Sequence, residues 1–428
     1  MRGLEKTDLN IPSFGHAFVS DAIEAGKKTP SPMISTDPPY YDMIPYADLS
    51  DFFYVWLRKL LSEIYPDLFD TLMTPKSKEM IADANRAGGA DEAKAFFEEG
   101  IFKAFSHFRE VVDRNYPVTV YYAYKQKESK KDKQVSTGWE TILSGIIDSG
   151  FTITGTWPIR TERAMKVASI GANVLASSIV LVCRPRELDI PAVTRKEFLV
   201  ALRKELSPAI QQLQQGNIAP VDLAQAAIGP GISVLSRYSR VLEADGSPMT
   251  VRTALKLINQ MLDEHMAEQE GFFDGDTRWA LAWFEQYGHD KGPFGAAETL
   301  SKAKNTSISG LEQAGILEAR AGQVRILHRD ELYDDWDPEQ DKRFTVWEAT
   351  QYLVKTLDKE GETSAAQLAS RLGGQAEDAR NLAYRLFLLC ERKKWAKEAL
   401  AYNMLVVSWP GLKDIFLSFE KSKQINLL

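Results

Sequence analysis

The stretch "ISTDPPYYDMIPYADLSDFFYVW", residues 34–56, decides how the front of this chain is read. Ile34-Ser35-Thr36 is a largely β-branched lead-in that predicts a short buried strand. Asp37-Pro38-Pro39 must end it, because neither proline can donate to a strand ladder. Beyond the prolines, Leu49, Phe52, Phe53, Trp56, Leu57 and Leu60 recur at three- and four-residue steps, so Ala47 to Ile64 reads as an amphipathic helix. That face, with Phe52, Phe53 and Trp56, is expected to be core. Tyr41 and Tyr46, nearer the prolines, are left open between packing and function.

Working outward, Arg86 to Asp91 reads as a glycine-rich turn and Ala93 to Val112 as a second amphipathic helix. Pro117 to Tyr124 reads as a strand, followed by a lysine-rich loop. The segment "STGWETILSGIIDSG" reads as a helix, with Thr137 and Glu140 at capping-box spacing and Gly150 at its end. The segments "FTITGTWPI" and "ASSIVLVCRPR" read as two further strands. This order is that of the second half of a doubly wound, Rossmann-like α/β domain; the first half, with its glycine-rich strand-to-helix turn, is not in the chain.

From Ile190 the pattern turns mostly helical, over Leu199 to Leu213 and Val251 to Glu270. Gly292 to Leu327 predicts two short helices and a two-strand ribbon turning at Ala321-Gly322, the pattern of a winged helix. Phe344 to Leu417 returns to helices with a break at Gly373-Gly374. The expected division is residues 1–188 for the α/β part, 189–290 for a helical region, 291–335 for the winged-helix-like module and 336–428 for a helical C-terminal region.

The 428 residues suggest two to four domains, and the 44% apolar and 26% charged fractions are those of a soluble globular protein. Two distant cysteines, Cys183 and Cys390, fit a reducing compartment and form no disulfide framework; both are expected to be structural. Five scattered histidines form no pair at metal-ligand spacing, so no metal is expected. There is no apolar run long enough to span a bilayer and no signal-peptide pattern at the start, so a cytoplasmic location and no membrane partner are expected. The net charge of -7 does not mark a nucleic-acid binder, though a local basic face is compatible with it.

Asp-Pro-Pro-Tyr suits one chemistry well. The exocyclic amine of adenine or cytosine is a poor nucleophile because its lone pair is delocalised into the ring. A catalyst must accept hydrogen bonds from both amino hydrogens and hold the nitrogen towards an electrophile. The Asp37 carboxylate and the Pro38 carbonyl can supply the two acceptors, and consecutive prolines fix them before the base arrives. Tyr40 offers a flat face to a base turned out of its stack. The bland alternative is a plain turn.

Ser35-Thr36-Asp37-Pro38-Pro39-Tyr40 resembles the catalytic motif of amino-group methyltransferases that use S-adenosylmethionine on DNA. The run "TDPPYYDMIPYADLSDFFYVWLRK" looks like one bacterial and archaeal family of adenine-specific DNA methylases with a domain of otherwise unknown function. "STGWET", "TWPIRTE", "ASSIVLVCRPR", "TRWALAWFEQYG", "GPFGAAETLSKAKNTSISGLEQAGIL" and "LAYNMLVVSWP" look like it too, so the resemblance spans about Ser31 to Pro410. It implies a methyltransferase fold, S-adenosylmethionine as cofactor of the complete enzyme, DNA as partner, and catalytic roles for Asp37, Pro38, Pro39 and Tyr40.

One departure matters. In that family the glycine-rich donor turn lies upstream of the catalytic motif, and "LNIPSFGHAF" is not such a turn. A permuted site at Phe272-Phe273-Asp274-Gly275-Asp276 is rejected, since it follows a helical stretch and has one glycine. The chain therefore looks like the C-terminal portion of a truncated or split methyltransferase, inactive alone or joined by an upstream polypeptide carrying the donor site. A non-catalytic DNA-binding or assembly subunit is the competing reading; an RNA or protein-amide methyltransferase is a third. For DNA contact the candidates are Tyr41, Lys125, Lys127, Lys130, Lys131 and Arg160, with the lysines set against a solvated loop and Arg160 against an ion pair with Glu162. Lys302, Lys304, Arg320 and Arg325 could serve the winged-helix segment, although the acidic flank "DELYDDWDPEQD" opposes a wholly DNA-facing surface.

Overall fold

The computed structural model describes residues 20–24, 31–41, 44–122, 137–160, 177–187 and 189–425. The front of the chain runs β1 (Ser35–Thr36), α1 (Tyr46–Leu61), α2 (Ala84–Ala87), α3 (Ala90–Val111), β2 (Val118–Tyr122), α4 (Thr137–Asp148), β3 (Phe151–Arg160) and β4 (Ser177–Pro185). Next come β5 (Val193–Thr194), α5 (Arg195–Gln215), α6 (Pro220–Ser236), β6 (Val241–Leu242) and α7 (Val251–Gln269). The last part holds α8 (Gly275–Tyr287), β7 (Gly292–Pro293), α9 (Phe294–Ala303), α10 (Ile308–Gln313), β8 (Leu317–Arg320) and β9 (Gln323–Ile326). Four helices close the chain: α11 (Val346–Glu360), α12 (Glu362–Leu372), α13 (Gln375–Lys393) and α14 (Ala396–Ile425). The protein is mixed α/β, with helices predominating over small sheets. Among the described residues no helix is long and apolar enough to cross a membrane.

The chain forms two compact units. The first takes the described residues of Met1–Ser35, Pro39–Val118 and Thr141–Phe151. Its core is one face of α3: Ala93, Phe97, Ile101, Ala104, Phe105 and Phe108 are buried at helical spacing. A Cβ on Gly145 of α4 would come within 2.5 Å of Ile101, so this glycine permits close packing against α3. Phe105 meets Phe151 edge-on, with ring centroids 6.4 Å apart.

The helix α1 corrects the expectation drawn from its periodicity. Phe52, Phe53 and Trp56 are 69%, 64% and 61% exposed, and Leu49 and Leu60 are exposed with them. Its buried residues are Ala47 and Tyr54, on the other side. That side is held by polar bonds to the loop beyond the helix. The Tyr54 hydroxyl reaches Thr71 Oγ1 at 2.9 Å, Asp51 accepts from Lys76 Nζ at 2.6 Å, and Arg86 bridges Glu79 and Asp48. The helix forms as expected, but its polar edge is the fixed one.

The second unit takes Thr36–Pro38, Thr119–Glu140 and Thr152–Leu428, again for the described residues. It holds a four-stranded sheet in the order β1-β2-β4-β3, which puts β1 at an edge. The unit does not part at residue 188, where composition changes. Arg186 donates to the carbonyls of Ser236 and Tyr238, and the Ser236 hydroxyl accepts from Ile153 N at 2.9 Å. A parallel pair, Val193 with Val241, also ties β5 to β6.

Sequence chemistry explains the remaining elements. Thr194 and Glu197 form a reciprocal capping box at the start of α5. Asp274 caps α8 by accepting from Thr277 N at 2.7 Å. Ala321 and Gly322 both have positive φ, 53° and 74°, as a two-residue ribbon turn requires, and β8 pairs with β9 across them. The strand β7 adds a third member, in the order β7-β9-β8. The break at Gly373-Gly374 separates α12 from α13.

Candidate functional site

Asp37-Pro38-Pro39-Tyr40 comes directly after the edge strand β1. Pro38 is buried, Pro39 and Tyr40 are half-buried, and Asp37 is exposed. The local physics is simple: two residues without N–H groups end the ladder after Thr36 and stiffen the backbone leading to Tyr40. The Asp37 side chain is thus exposed at the end of the strand, just ahead of the backbone that the prolines stiffen.

Tyr41 sits next to the motif with φ of +56°, a left-handed conformation uncommon for a bulky side chain. Two contacts hold it there. Its carbonyl accepts from Ala82 N at 3.1 Å, and its ring meets Phe97 edge-on at 5.2 Å. Such strain persists where surrounding packing determines it. Tyr41 therefore has an anchoring part in the first unit, beside any DNA contact.

Most of the other expected DNA contacts lie outside the described residues. Lys125, Lys127, Lys130 and Lys131 lie outside the described residues, as do Glu162 and Arg163. Arg160 ends β3, with its side chain outside the described set. Arg325 is on β9 but is engaged: Nε reaches Glu318 at 3.0 Å, and Nη1 and Nη2 reach Glu331 at 2.7 and 2.8 Å. The hydrogen bond from Arg325 drives the Glu331 carboxyl down to about 2. Lys302 pairs with Glu298 at 3.1 Å.

Beside that ribbon lies an open cleft of about 840 Å³, with Glu312, Glu318, Asp335, Asp341 and Glu348 in its lining. Trp336 stacks on Tyr352 within it, at 4.2 Å and 4°. Burial, followed by the field of Asp341, pushes the Glu348 carboxyl up to about 9. The lining is acidic on balance, with Arg325, Lys342 and Arg343 among the carboxylates and Glu348 held neutral, so this side of the ribbon disfavours a nucleic-acid backbone.

The strands β2 and β3 run directly into residues outside the described set, and β1 and β4 into described ones. Neither β1 nor β4 runs into a glycine-rich turn. Gly275 serves a packing need instead: a Cβ there would lie 2.8 Å from the Lys304 carbonyl oxygen. Both thiols are buried, and desolvation pushes Cys183 up to about 12, so neither is a poised nucleophile.

Three side chains that no sequence spacing connects do converge. His289, His328 and Glu398 each place a ligand-capable atom within 4.8 Å of the others. They come from the α8–β7 turn, the residue capping the short 3-10 helix after β9, and the first turn of α14. No local motif could have announced them.

Residues 274–427 match the model of a family described as a domain of unknown function, DUF8807. No curated protein and no solved structure matches the chain.

Proposed function

We propose that this chain carries the amine-accepting part of a DNA amino-methyltransferase, adenine-specific by resemblance, and that the S-adenosylmethionine site is supplied from outside these residues, by a longer form of the chain or by an upstream polypeptide. The observation that carries the reading is the position of Asp37-Pro38-Pro39-Tyr40 at the end of an edge strand, with Pro38 buried and Asp37 exposed. In an open α/β sheet, sites form beyond the strand ends, where the chain order changes. The edge position of β1 fits half of a Rossmann-like methyltransferase domain, to which the donor-bearing half adds its strands. The element order from α8 to β9 fits a winged helix, and the helices after it fit an assembly region.

In this reading the Asp37 carboxylate and the Pro38 carbonyl accept from the two amine hydrogens, and Tyr40 stacks on the extruded base. Fixed acceptors need no rearrangement as the amine becomes a nucleophile. The exposed apolar face of α1 acquires an occupant, the donor-bearing part; single chains seldom leave so many large apolar side chains bare on one helix. That same face also favours a second reading, in which the chain is a non-catalytic assembly subunit.

The test is methyl transfer from radiolabelled S-adenosylmethionine to unmethylated duplex DNA, by the longer form of the chain or by the chain together with the polypeptide that co-purifies with it. Asp37→Ala is expected to lower turnover by about a hundredfold or more while leaving DNA affinity unchanged. Near-normal turnover by the variant refutes the role of Asp37. DNA binding with no transfer, or no donor binding by either preparation, selects the second reading.

A further inference from the structure

Nε2 of His289 is buried and has no hydrogen-bond partner. An unsatisfied buried nitrogen calls for an explanation, and an ion is one of the few available. Its other nitrogen, Nδ1, faces the Ile326 carbonyl oxygen at 3.4 Å. A proton on Nδ1 pointed at that carbonyl leaves the Nε2 lone pair directed inward. Metal-binding histidines are oriented in this way, through a carbonyl or carboxylate on the nitrogen that does not ligate.

His328 has the same kind of partner, although its Nδ1 here accepts from Asp330 N at 3.4 Å, so ligation through Nε2 requires the ring proton to move to Nδ1, facing Asp330 Oδ2. Its Nδ1 lies 3.3 Å from Asp330 Oδ2, while its Nε2 lies 3.5 Å from Glu398 Oε1. The rings of His289 and His328 are 4.9 Å apart. Tetrahedral ligands at about 2.0–2.2 Å from zinc are separated by roughly 3.3–3.6 Å. The His328–Glu398 pair already has that spacing, and the 4.8 Å bound on the set leaves about an ångström of closure, within reach of rotamer adjustment.

Arg329 is the main objection, because its guanidinium grips the same carboxylate: Nη1 is 2.7 Å from Glu398 Oε2 and Nη2 is 2.9 Å from Oε1. An ionised carboxylate, however, has about four acceptor sites; only the Nη2 contact to Oε1 is a hydrogen bond, and Oε2 accepts none, which leaves room for a cation. Arg329 is also held from behind by Gln351 and the Tyr402 hydroxyl, so it fixes Glu398 in place. A hydrogen-bonded clasp of His328, Glu398 and Arg329 leaves two buried atoms without a hydrogen-bond partner, His289 Nε2 and Glu398 Oε2, and a metal there satisfies both.

We propose that His289, His328 and Glu398 bind a Zn²⁺ ion, with a water in the fourth position, and that the ion staples the α8–β7 turn and the end of β9 to the first turn of α14. Two imidazoles and one carboxylate suit zinc far better than magnesium or calcium. Three protein ligands from three separate elements make the ion a cross-link of the region after α8.

The experiment uses the full chain, freed of metal with a chelator and titrated with Zn²⁺ and with Co²⁺ as a spectroscopic stand-in. One equivalent is expected to bind, Co²⁺ is expected to give the visible absorption of a tetrahedral site, and excess Mg²⁺ should not displace it. Loss of an outer partner costs about 10–100-fold in affinity, so Asp330→Asn should fall in that range and His289→Ala and His328→Ala should exceed it. Asp330 and His328 are partly exposed, so these two variants keep the test valid if His289→Ala fails to fold. Substoichiometric binding, or binding unchanged in His328→Ala and Asp330→Asn, overturns the proposal.

Discussion

Replacing Glu348 with Gln removes a buried carboxyl whose charge the fold does not accommodate. Glu348 lies on α11, 4% exposed. Its Oε2 accepts from the Thr345 hydroxyl at 3.1 Å. The charges acting on it are acidic, Asp341 first among them, so both burial and field disfavour ionisation. The carboxyl is raised from 4.5 to about 9. Between those values the folded protein keeps a proton that the unfolded chain releases. Stability is therefore highest below the unfolded value and falls as pH rises through the window, by about 1.4 kcal/mol per pH unit. From 4.5 to pH 7 the loss is about 3 kcal/mol, and it continues to grow up to about pH 9. Gln has no proton to lose. Glu348→Gln should therefore match wild type to within about 1 kcal/mol near pH 4.5 and exceed it by about 2–3 kcal/mol at pH 7. Urea unfolding of both proteins across pH 5–9 measures the difference. Parallel curves, with the same dependence on pH, would show that Glu348 titrates alike in both states and that its burial carries no such cost.

Other residues give sharper yes-or-no outcomes. Phe52→Ser with Trp56→Ser should change the stability of the isolated chain by no more than about 0.5 kcal/mol and raise its solubility, as read by thermal melting and light scattering. Tyr54→Phe, on the fixed side of the same helix, should cost about 1 kcal/mol by losing its bonds to Thr71, as urea unfolding would show. Gly229→Ala should cost about 1–3 kcal/mol in the same assay, because a Cβ there overlaps the Thr156 side chain.

Some of this fold is written locally and some is not. The ribbon turn at Ala321-Gly322 is legible from Gly322, which suits one of the two positive φ values such a turn needs, while Ala321 takes the other at φ 53° against its own preference. The strands β2, β3 and β4 are legible from their β-branched and aromatic content. The helix α6 is not. Its centre, Gly229-Pro230-Gly231, carries the residues that usually end helices. The structure shows why the glycines are there: a side chain at Gly229 would meet Thr156, and one at Gly231 would meet Ile258. Close approach of neighbouring elements, a tertiary demand, overrides local propensity at these positions. Asp274-Gly275-Asp276 is a similar case, a glycine-bearing segment that caps a helix and cradles nothing.

The candidate sites divide along the same line. Asp37 to Tyr40 can be picked out in sequence because proline restricts the backbone without help from distant residues. His289, His328 and Glu398 cannot, because three elements must pack before their side chains meet. The helix α1 lies between these cases. Periodicity groups Phe52, Phe53 and Trp56 on one face, yet it cannot say whether that face meets a core or solvent. Its orientation is fixed by a set of polar side chains, Asp48, Asp51, Glu79 and Arg86, bonding across loops that periodicity ignores. An apolar stripe therefore identifies a surface that must be covered, and only the polar contacts opposite it tell whether the same chain supplies the cover. In this protein they pin α1 from behind and leave the stripe outward.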